Sequence, residues 1–348
     1  MAEYNWATLG CGVIAHQLAD AMKAKGRALY SVANRTYDKA ISFAEEYGIK
    51  KVYGNIEEVF EDENVDIIYI STPHNTHIEY LRKALSHGKH VICEKSITLN
   101  SRELDEMIAL AKEKNLILAE AMTIWHMPIY KELWKIVQSG ELGKMQIMTV
   151  NFGSFKEYDM NNRFFNMNLA GGALLDIGVY ALSAVRSFMS KQPNEIVSQV
   201  RFAPTGSDEQ ATILLKNEDQ QMATIALSMH SKQPKRIMIS LEKGYIEVYE
   251  FPRGQKATIV DAVTGKQTVI EKGNTDLQKN VLLNEADSDG YIVCTLINEK
   301  RECLSLIARI DHGMHKVNYS DSITYGMINE SISTENLDVC IREYSDWR

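Results

Sequence analysis

Residues 10–15 read Gly10-Cys11-Gly12-Val13-Ile14-Ala15, directly after the apolar run Trp6 to Leu9 and directly before a stretch with helical spacing. No other feature constrains the chain as much. A G-x-G-x-x-A turn between a strand and a helix is the context that a dinucleotide-binding βαβ fold requires. Gly10 permits the tight turn, and Gly12 lets backbone approach a pyrophosphate. The free N–H groups where the helix starts, at Val13 and Ile14, then meet the phosphate charge with the helix dipole behind them. Ala15 replaces the third glycine, a substitution the fingerprint tolerates. A glycine-rich turn that binds nothing is the competing reading, and the strand-turn-helix setting argues against it.

The rest of the first third keeps the same rhythm. Short apolar runs at Ala28 to Ala33, Ile67 to Ser71, His90 to Cys93 and Ile117 to Ala119 read as strands. Between them Ala15 to Lys25, Lys39 to Tyr47, Ile78 to Ser86 and Ser101 to Lys114 carry helical spacing, the last with Ser101 as its N-cap. This alternation predicts a parallel α/β sheet over residues 1–122. After a helix at Pro128 to Ser139 and the turn Gly140-Glu141-Leu142-Gly143, strand-like alternation takes over. It runs through Met145 to Phe155, Glu195 to Phe202, Ala211 to Lys216, Met222 to His230, Arg236 to Leu241 and Tyr245 to Tyr249. One helical stretch, Gly172 to Met189, interrupts it. Residues 123–348 are therefore expected to form an α+β domain built on an antiparallel or mixed sheet.

Composition excludes several classes of function. In 348 residues, 45% hydrophobic and 24% charged, a formal charge of −8 is spread along the chain, which favours a small molecule over nucleic acid or an anionic membrane. The longest apolar runs, such as Val65 to Ile70, read as strand-sized. The five cysteines, Cys11, Cys93, Cys294, Cys303 and Cys340, form no CxxC pair, and no signal peptide is visible at the N-terminus, so a cytoplasmic location is expected.

Three positions speak to chemistry. NAD-specific folds usually end the second strand on an acidic residue, but here Ala33-Asn34-Arg35 stands there. A guanidinium pairs with a 2′-phosphate, so NADP is favoured over NAD; otherwise Arg35 is a solvated loop cation. Ser71-Thr72-Pro73-His74-Asn75-Thr76-His77 lies at the carboxyl end of the sheet, where Asn75 and His77 either reach the cofactor or cap the next helix. Glu94-Lys95 follows another strand at the same edge, and Asp176 and Tyr180, four residues apart, share one helix face among apolar neighbours. A carboxylate and a phenol in such surroundings carry a desolvation cost that points to function. A mutual hydrogen bond in the core is the other reading.

Taken together, these stretches resemble the Gfo/Idh/MocA oxidoreductases in identity, order and spacing over about residues 5 to 250. The carriers are the glycine turn, Ser71 to His77, Glu94-Lys95, Glu120-Ala121, Gly140 to Gly143 and Gly171 to Tyr180. Tyrosine at position 180 resembles the branch containing dimeric dihydrodiol dehydrogenase and NADP-dependent D-xylose dehydrogenase. The resemblance implies a Rossmann domain followed by an open, predominantly antiparallel sheet whose exposed face makes a homodimer. It also implies a substrate pocket lined by Lys95, Asp176 and Tyr180.

Two departures stand out. Ser96 replaces a proline that in relatives is often cis and helps set the lysine, so Lys95 is expected to be less rigidly held. From about Asp276 the family's usual ending is not found, and His312 and His315 read as a surface pair rather than metal ligands. The expected activity is hydride transfer between a nicotinamide and the carbinol or carbonyl carbon of a sugar, polyol or cyclic diol. Tyr180 is the expected acid/base, with Lys95 favouring its phenolate and binding the substrate oxygen, and Asp176 orienting either partner. Trp125 and Arg163 are pocket or packing residues; Arg163, Ser71, Thr72, Pro73, Glu94 and Glu120 join the candidate cofactor contacts. The alternative is a protein of the same fold that senses NADP without catalysis.

Overall fold

The computed structural model describes residues 4–24, 26–272, 291–297, 303–310 and 317–320. The expectations for Asp276, His312, His315, Cys340 and the tail lie outside the described residues.

The first half alternates strand and helix: β1 (Trp6–Leu9), α1 (Val13–Ala24), β2 (Ser31–Ala33), α2 (Tyr37–Tyr47), β3 (Lys51–Val52), α3 (Glu57–Glu61), β4 (Ile67–Ile70), α4 (His77–Ser86), β5 (His90–Glu94), α5 (Ser101–Glu113) and β6 (Leu118–Ala121). All the strands pair in parallel in the order β3-β2-β1-β4-β5-β6. Strands buried on both faces need continuous apolar runs, and β1 and β4 are buried throughout. Two small elements, β3 and α3, are too short for periodicity to reveal. The N-cap of α5 is Asn100 rather than Ser101. Its side chain accepts from Glu103 N at 3.0 Å while Glu103 reaches back to Leu99 N, which closes a capping box one residue earlier than expected.

The second half begins with α6 (Pro128–Ser139), β7 (Met145–Gly153) and α7 (Val179–Phe188). Seven more strands follow: β8 (Pro193–Phe202), β9 (Asp208–Asn217), β10 (Met222–Ser228), β11 (Arg236–Leu241), β12 (Gly244–Tyr249), β13 (Lys256–Asp261) and β14 (Gln267–Glu271). With β7 they form an eight-stranded sheet in the order β14-β13-β12-β11-β7-β10-β9-β8, in which only β7 and β10 pair in parallel. Sequence reading stopped at Tyr249 and missed β13 and β14. Three further strands, β15 (Tyr291–Ile297), β16 (Cys303–Ile310) and β17 (Val317–Ser320), pair in a small antiparallel sheet.

Register sorts the large sheet into two faces. The row Ile213, Ile225, Val150, Ile237, Val248 and Ala257 is buried in a core shared with α7. The opposite row carries Val197, Leu214, Thr224, Thr149, Met238 and Glu247, with Val197 62% and Leu214 45% exposed. One core gathers residues up to Ala121, and another gathers residues from Met122 onward.

The stretch Met167–Phe188 is long and apolar enough to pass for a membrane span, contrary to the expectation of strand-sized runs only. Of its most apolar window, 78% is buried inside the protein, which is the environment of a core helix.

Backbone geometry separates the two glycines of the first turn. Gly10 has φ +110°, and a Cβ there would lie 2.8 Å from Ser71 Oγ and 3.0 Å from Ser71 O; a Cβ on Gly12 would meet nothing within 4 Å. Gly10→Ala is therefore expected to lower stability in urea by about 1–3 kcal/mol, while Gly12→Ala leaves the midpoint close to that of the parent. Equal losses at both positions would contradict this division.

Candidate active site

The carboxyl ends of β1, β4 and β5 meet at the glycine turn. Gly10 N–H donates to Ala33 O at 2.9 Å, holding the turn against the end of β2, and Ser71 Oγ donates to Leu9 O at 3.3 Å. Beyond the turn Val13 is 79% exposed, so the first turn of α1 is open. Asn75 Oδ1 is buried and has no hydrogen-bond partner among the described residues, which leaves an acceptor on offer at the same edge. Asn34 closes a local turn by donating to Thr36 O, and Arg35 is exposed beside it with no ion pair among the described residues. These features fit a dinucleotide: an open glycine turn, free helix N–H groups, a waiting acceptor and a free guanidinium.

His77 does not face that opening. Its ring is wholly buried, with Nδ1 2.9 Å from Ser96 O and Nε2 2.8 Å from Thr72 O. It ties the loop after β4 to the turn after β5, so the expected cofactor contact is replaced by a strut. Thr72 Oγ1 is engaged by Thr76, Pro73 precedes a short 3₁₀ turn at His74–Thr76, and Ile97 N–H donates to Glu120 Oε1 at 2.9 Å. Trp125 is buried against Trp134, ring centroids 5.3 Å apart, within the second core.

Lys95 leaves β5 and crosses to the second half of the chain. Its ammonium donates to Asp176 O at 2.7 Å and to Asp176 Oδ1 at 3.1 Å, and sits 5.2 Å from the centroid of the Tyr180 ring. The acceptors stand where they do because the chain turns sharply at Gly171-Gly172. Gly172 has φ +132°, and the Asp208 carboxylate occupies the space its Cβ would need while accepting from Leu174 N at 2.6 Å. A π-helical turn, Leu174–Gly178, follows and runs into α7. Two successive carbonyls of that turn receive two successive side chains: Leu175 O accepts from Ser96 Oγ at 2.9 Å, and Asp176 O accepts from Lys95. Ser96 is buried, so the expectation of a looser lysine does not hold. The hydroxyl that replaces the proline ring supplies a bond across the cleft.

Arg163 joins the group, its Nη1 3.5 Å from Asp176 Oδ1. With Lys95 it outweighs burial, which alone would raise the carboxyl, and holds Asp176 down to about 2. For Lys95 burial opposes the charged form, but Asp176, Tyr180 and Glu94 more than reverse it and push the ammonium up. Tyr180 goes the other way from the expected phenolate. Burial raises the phenol, and the opposing pull of Lys95 does not cancel it. Glu94, hydrogen-bonded by the Tyr69 hydroxyl, is likewise raised by burial, and buried His74 falls to about 3 and stays neutral.

Sequence reading missed several residues here. Lys39, one helical turn beyond Arg35, lies close enough to pull the Cys11 thiol down against its burial, and spacing could have found it. Arg253 donates to Gln17 Oε1 at 3.1 Å, linking the segment after β12 to α1, and its charge bears on Glu94 and Tyr180. Lys156 and Lys235 stand over the Phe164 and Phe152 rings. These three arrive from distant strand ends and carry no local signal.

The family model for the NAD-binding Rossmann domain of the GFO/IDH/MocA oxidoreductase family matches residues 4–122, and that for its C-terminal domain matches residues 130–247. Trans-1,2-dihydrobenzene-1,2-diol dehydrogenase of Xenopus laevis is 30% identical over 275 residues, which cover 78% of this chain and 82% of the relative. The 3-ketoreductase of Actinomadura kijaniata, solved with NADP and TDP-benzene, superposes with a TM-score of 0.73 at 23% identity, over 81% of this chain and 88% of that one. Levoglucosan dehydrogenase in complex with NADH and L-sorbose gives 0.74 at 17% identity, over 82% and 88%. At such identities the two structures speak to the fold, whereas the family models span both halves of the described chain: the protein belongs to the Gfo/Idh/MocA family of oxidoreductases.

Proposed function

We propose that the protein is an NADP-dependent dehydrogenase or reductase acting on the CH–OH or C=O group of a sugar, polyol or cyclic diol. The observation that carries this reading is the Lys95 ammonium, fixed by Asp176 beside the Tyr180 ring at the mouth of a dinucleotide-binding turn. Relatives named as a dihydrobenzenediol dehydrogenase, a 3-ketoreductase and a levoglucosan dehydrogenase support the substrate class.

Gly10, Gly12, Val13 and Ile14 would hold the pyrophosphate, Asn75 and Glu94 would be further contacts to the cofactor, and Arg35 with Lys39 would receive the 2′-phosphate. When bound, the cofactor supplies or accepts a hydride at C4 of its nicotinamide. Lys95 has three N–H donors and spends two on Asp176, so one remains to hydrogen-bond the substrate oxygen. Its charge stabilises the negative charge that grows on that oxygen as a carbonyl takes up hydride. Tyr180, kept protonated by burial, gives its proton to the same oxygen. Asp176 does not exchange protons at neutral pH; it keeps the ammonium charged and aimed.

Tyr180→Phe is expected to slow NADPH oxidation by a competent aldose or ketose, or NADP reduction by a competent diol, about 10²–10⁴-fold, and Lys95→Ala by a similar factor, with cofactor still bound. Full turnover in both variants would defeat the mechanism. Reduction needs the protonated phenol, whose pKa lies above its ordinary 10.0, so the rate stays level through neutral pH and falls only as pH climbs past that raised value. A decline centred near pH 7 would rule out Tyr180 as the donor.

Cofactor choice gives a separate test. Replacing both Arg35 and Lys39 by alanine is expected to weaken NADPH by about 1.5–3 kcal/mol while leaving NADH affinity unchanged, as read by fluorescence titration. Parallel losses for both cofactors would remove these residues from the 2′-phosphate.

The open face of the eight-stranded sheet is the surface we propose for a homodimer in the cytoplasm. Val197, Leu214, Met222 and Ile147 put exposed apolar side chains on it, an arrangement that favours a second copy. Sedimentation velocity should give a dimer that Val197→Glu with Leu214→Glu converts to a monomer. A parent chain that sediments as a monomer at micromolar concentration would exclude this.

A further inference from the structure

The proposed site holds more positive charge than its chemistry requires. Lys95 and Arg163 share the single carboxylate of Asp176, at 3.1 and 3.5 Å. Lys156 Nζ and Arg163 Cζ lie over the same Phe164 ring, each 4.3 Å from its centroid. Across the pocket Lys235 Nζ is 5.2 Å from the Phe152 centroid, and the Phe152 ring is 6.2 Å from that of Tyr180. Among the described residues neither Lys156 nor Lys235 has a carboxylate within ion-pair distance. The other acid nearby, Glu94, accepts from the Tyr69 hydroxyl, and its charge bears on Lys95.

Lys95 and Arg163 share Asp176, while Lys156 and Lys235 add two cations without a carboxylate partner among the described residues, an imbalance that an anion would complete. Lys156 registers the imbalance. Burial lowers its ammonium, and Arg163, Lys235 and Lys95 lower it further, with Asp176 as the opposing charge. Its neighbours come from separate parts of the chain: Lys156 follows β7, Arg163 precedes the Gly171-Gly172 turn and Lys235 precedes β11. Ring faces beneath all four cations hold them in place without neutralising them.

We infer that the substrate carries an anionic oxygen group, a carboxylate or a phosphate on the polyol, which Lys156, Lys235 and Arg163 receive while Lys95 faces the reacting oxygen. This deepens the proposed function and rests on it. A neutral sugar would occupy the same cleft without closing its charge, and would bind more weakly for that reason.

Isothermal titration of the NADP-loaded protein with D-glucuronate, D-glucose 6-phosphate and D-glucose tests this. At least one anionic sugar is expected to bind about tenfold or more tightly than D-glucose at low salt, and the tighter of the two identifies the group as carboxylate or phosphate. The advantage should shrink as NaCl rises from roughly 0.02 M to roughly 0.5 M, a measurement that needs no variant. It should also be lost in Lys156→Met with Lys235→Met, whose folding is checked by its melting temperature. Equal affinity for all three sugars, no binding of either anion, or an anion preference that survives both salt and the folded double variant would overturn the inference. Hydride transfer is scored separately with a neutral aldose and diol panel. Turnover without anion preference defeats this inference alone, and anion binding without any turnover defeats the proposed function alone.

Discussion

The contact between the Lys95 ammonium and Asp176 ties the two halves of the molecule at the proposed active site. Both side chains are largely withdrawn from water, 14% and 12% exposed, and neither charge is stable there without the other. Lys95 hangs from the end of a parallel strand, and Asp176 from a π-helical turn that a glycine pair and the Asp208 carboxylate position. The Ser96 hydroxyl on Leu175 O runs beside this ion pair, and Arg253 on Gln17 makes a second crossing. Loss of the Lys95 or Ser96 bonds leaves a buried polar group unpaired, so the contact between the two halves is coupled to the geometry of the cleft.

The same burial divides the ionisable groups of the cleft by their charge. Asp176 and Lys95 remain charged because each stabilises the other, whereas Tyr180, Glu94 and His74 are pushed toward their neutral forms by desolvation. The result is a fixed charge pair next to a phenol that keeps its proton. In the proposed reduction, a phenol that keeps its proton acts as the donor. An ammonium that keeps its proton supplies a constant field for the oxygen that gains charge.

The sequence carried the parts of this arrangement that depend on local periodicity. The strands Trp6–Leu9 and Arg236–Leu241 appear at their expected residues because buried parallel strands and alternating antiparallel ones leave distinct patterns. The glycine turn was legible because Gly10 needs a positive φ and a close approach to Ser71. Two-residue β3 and five-residue α3 are too short to repeat a period and leave no pattern. The Asn100 cap was displaced by one residue because asparagine and serine both cap, and only the reciprocal bond with Glu103 tells them apart. Lys156, Lys235 and Arg253 come together through sheet register, which one sequence does not disclose. Ser96 was read as the loss of a proline, since the carbonyl that receives its hydroxyl lies 79 positions away.

The apolar stretch Met167–Phe188 draws these points together. It is surrounded by the inner face of the large sheet and the rest of the second core, which is why its composition imitates a membrane span. In such surroundings an ionisable side chain is retained only where the structure compensates it. Arg186 donates to the carbonyl of Met189 at the helix end, and Asp176 is held by Lys95 and Arg163. Tyr180 differs: its contacts are a cation over its ring and the neighbouring face of Phe152. The arginine closes a helix, whereas the carboxylate and the phenol both face the single ammonium that crosses from the first sheet. Their spacing of four residues on an otherwise apolar helix is what a site needs when one lysine must be aimed and one proton kept ready beside it.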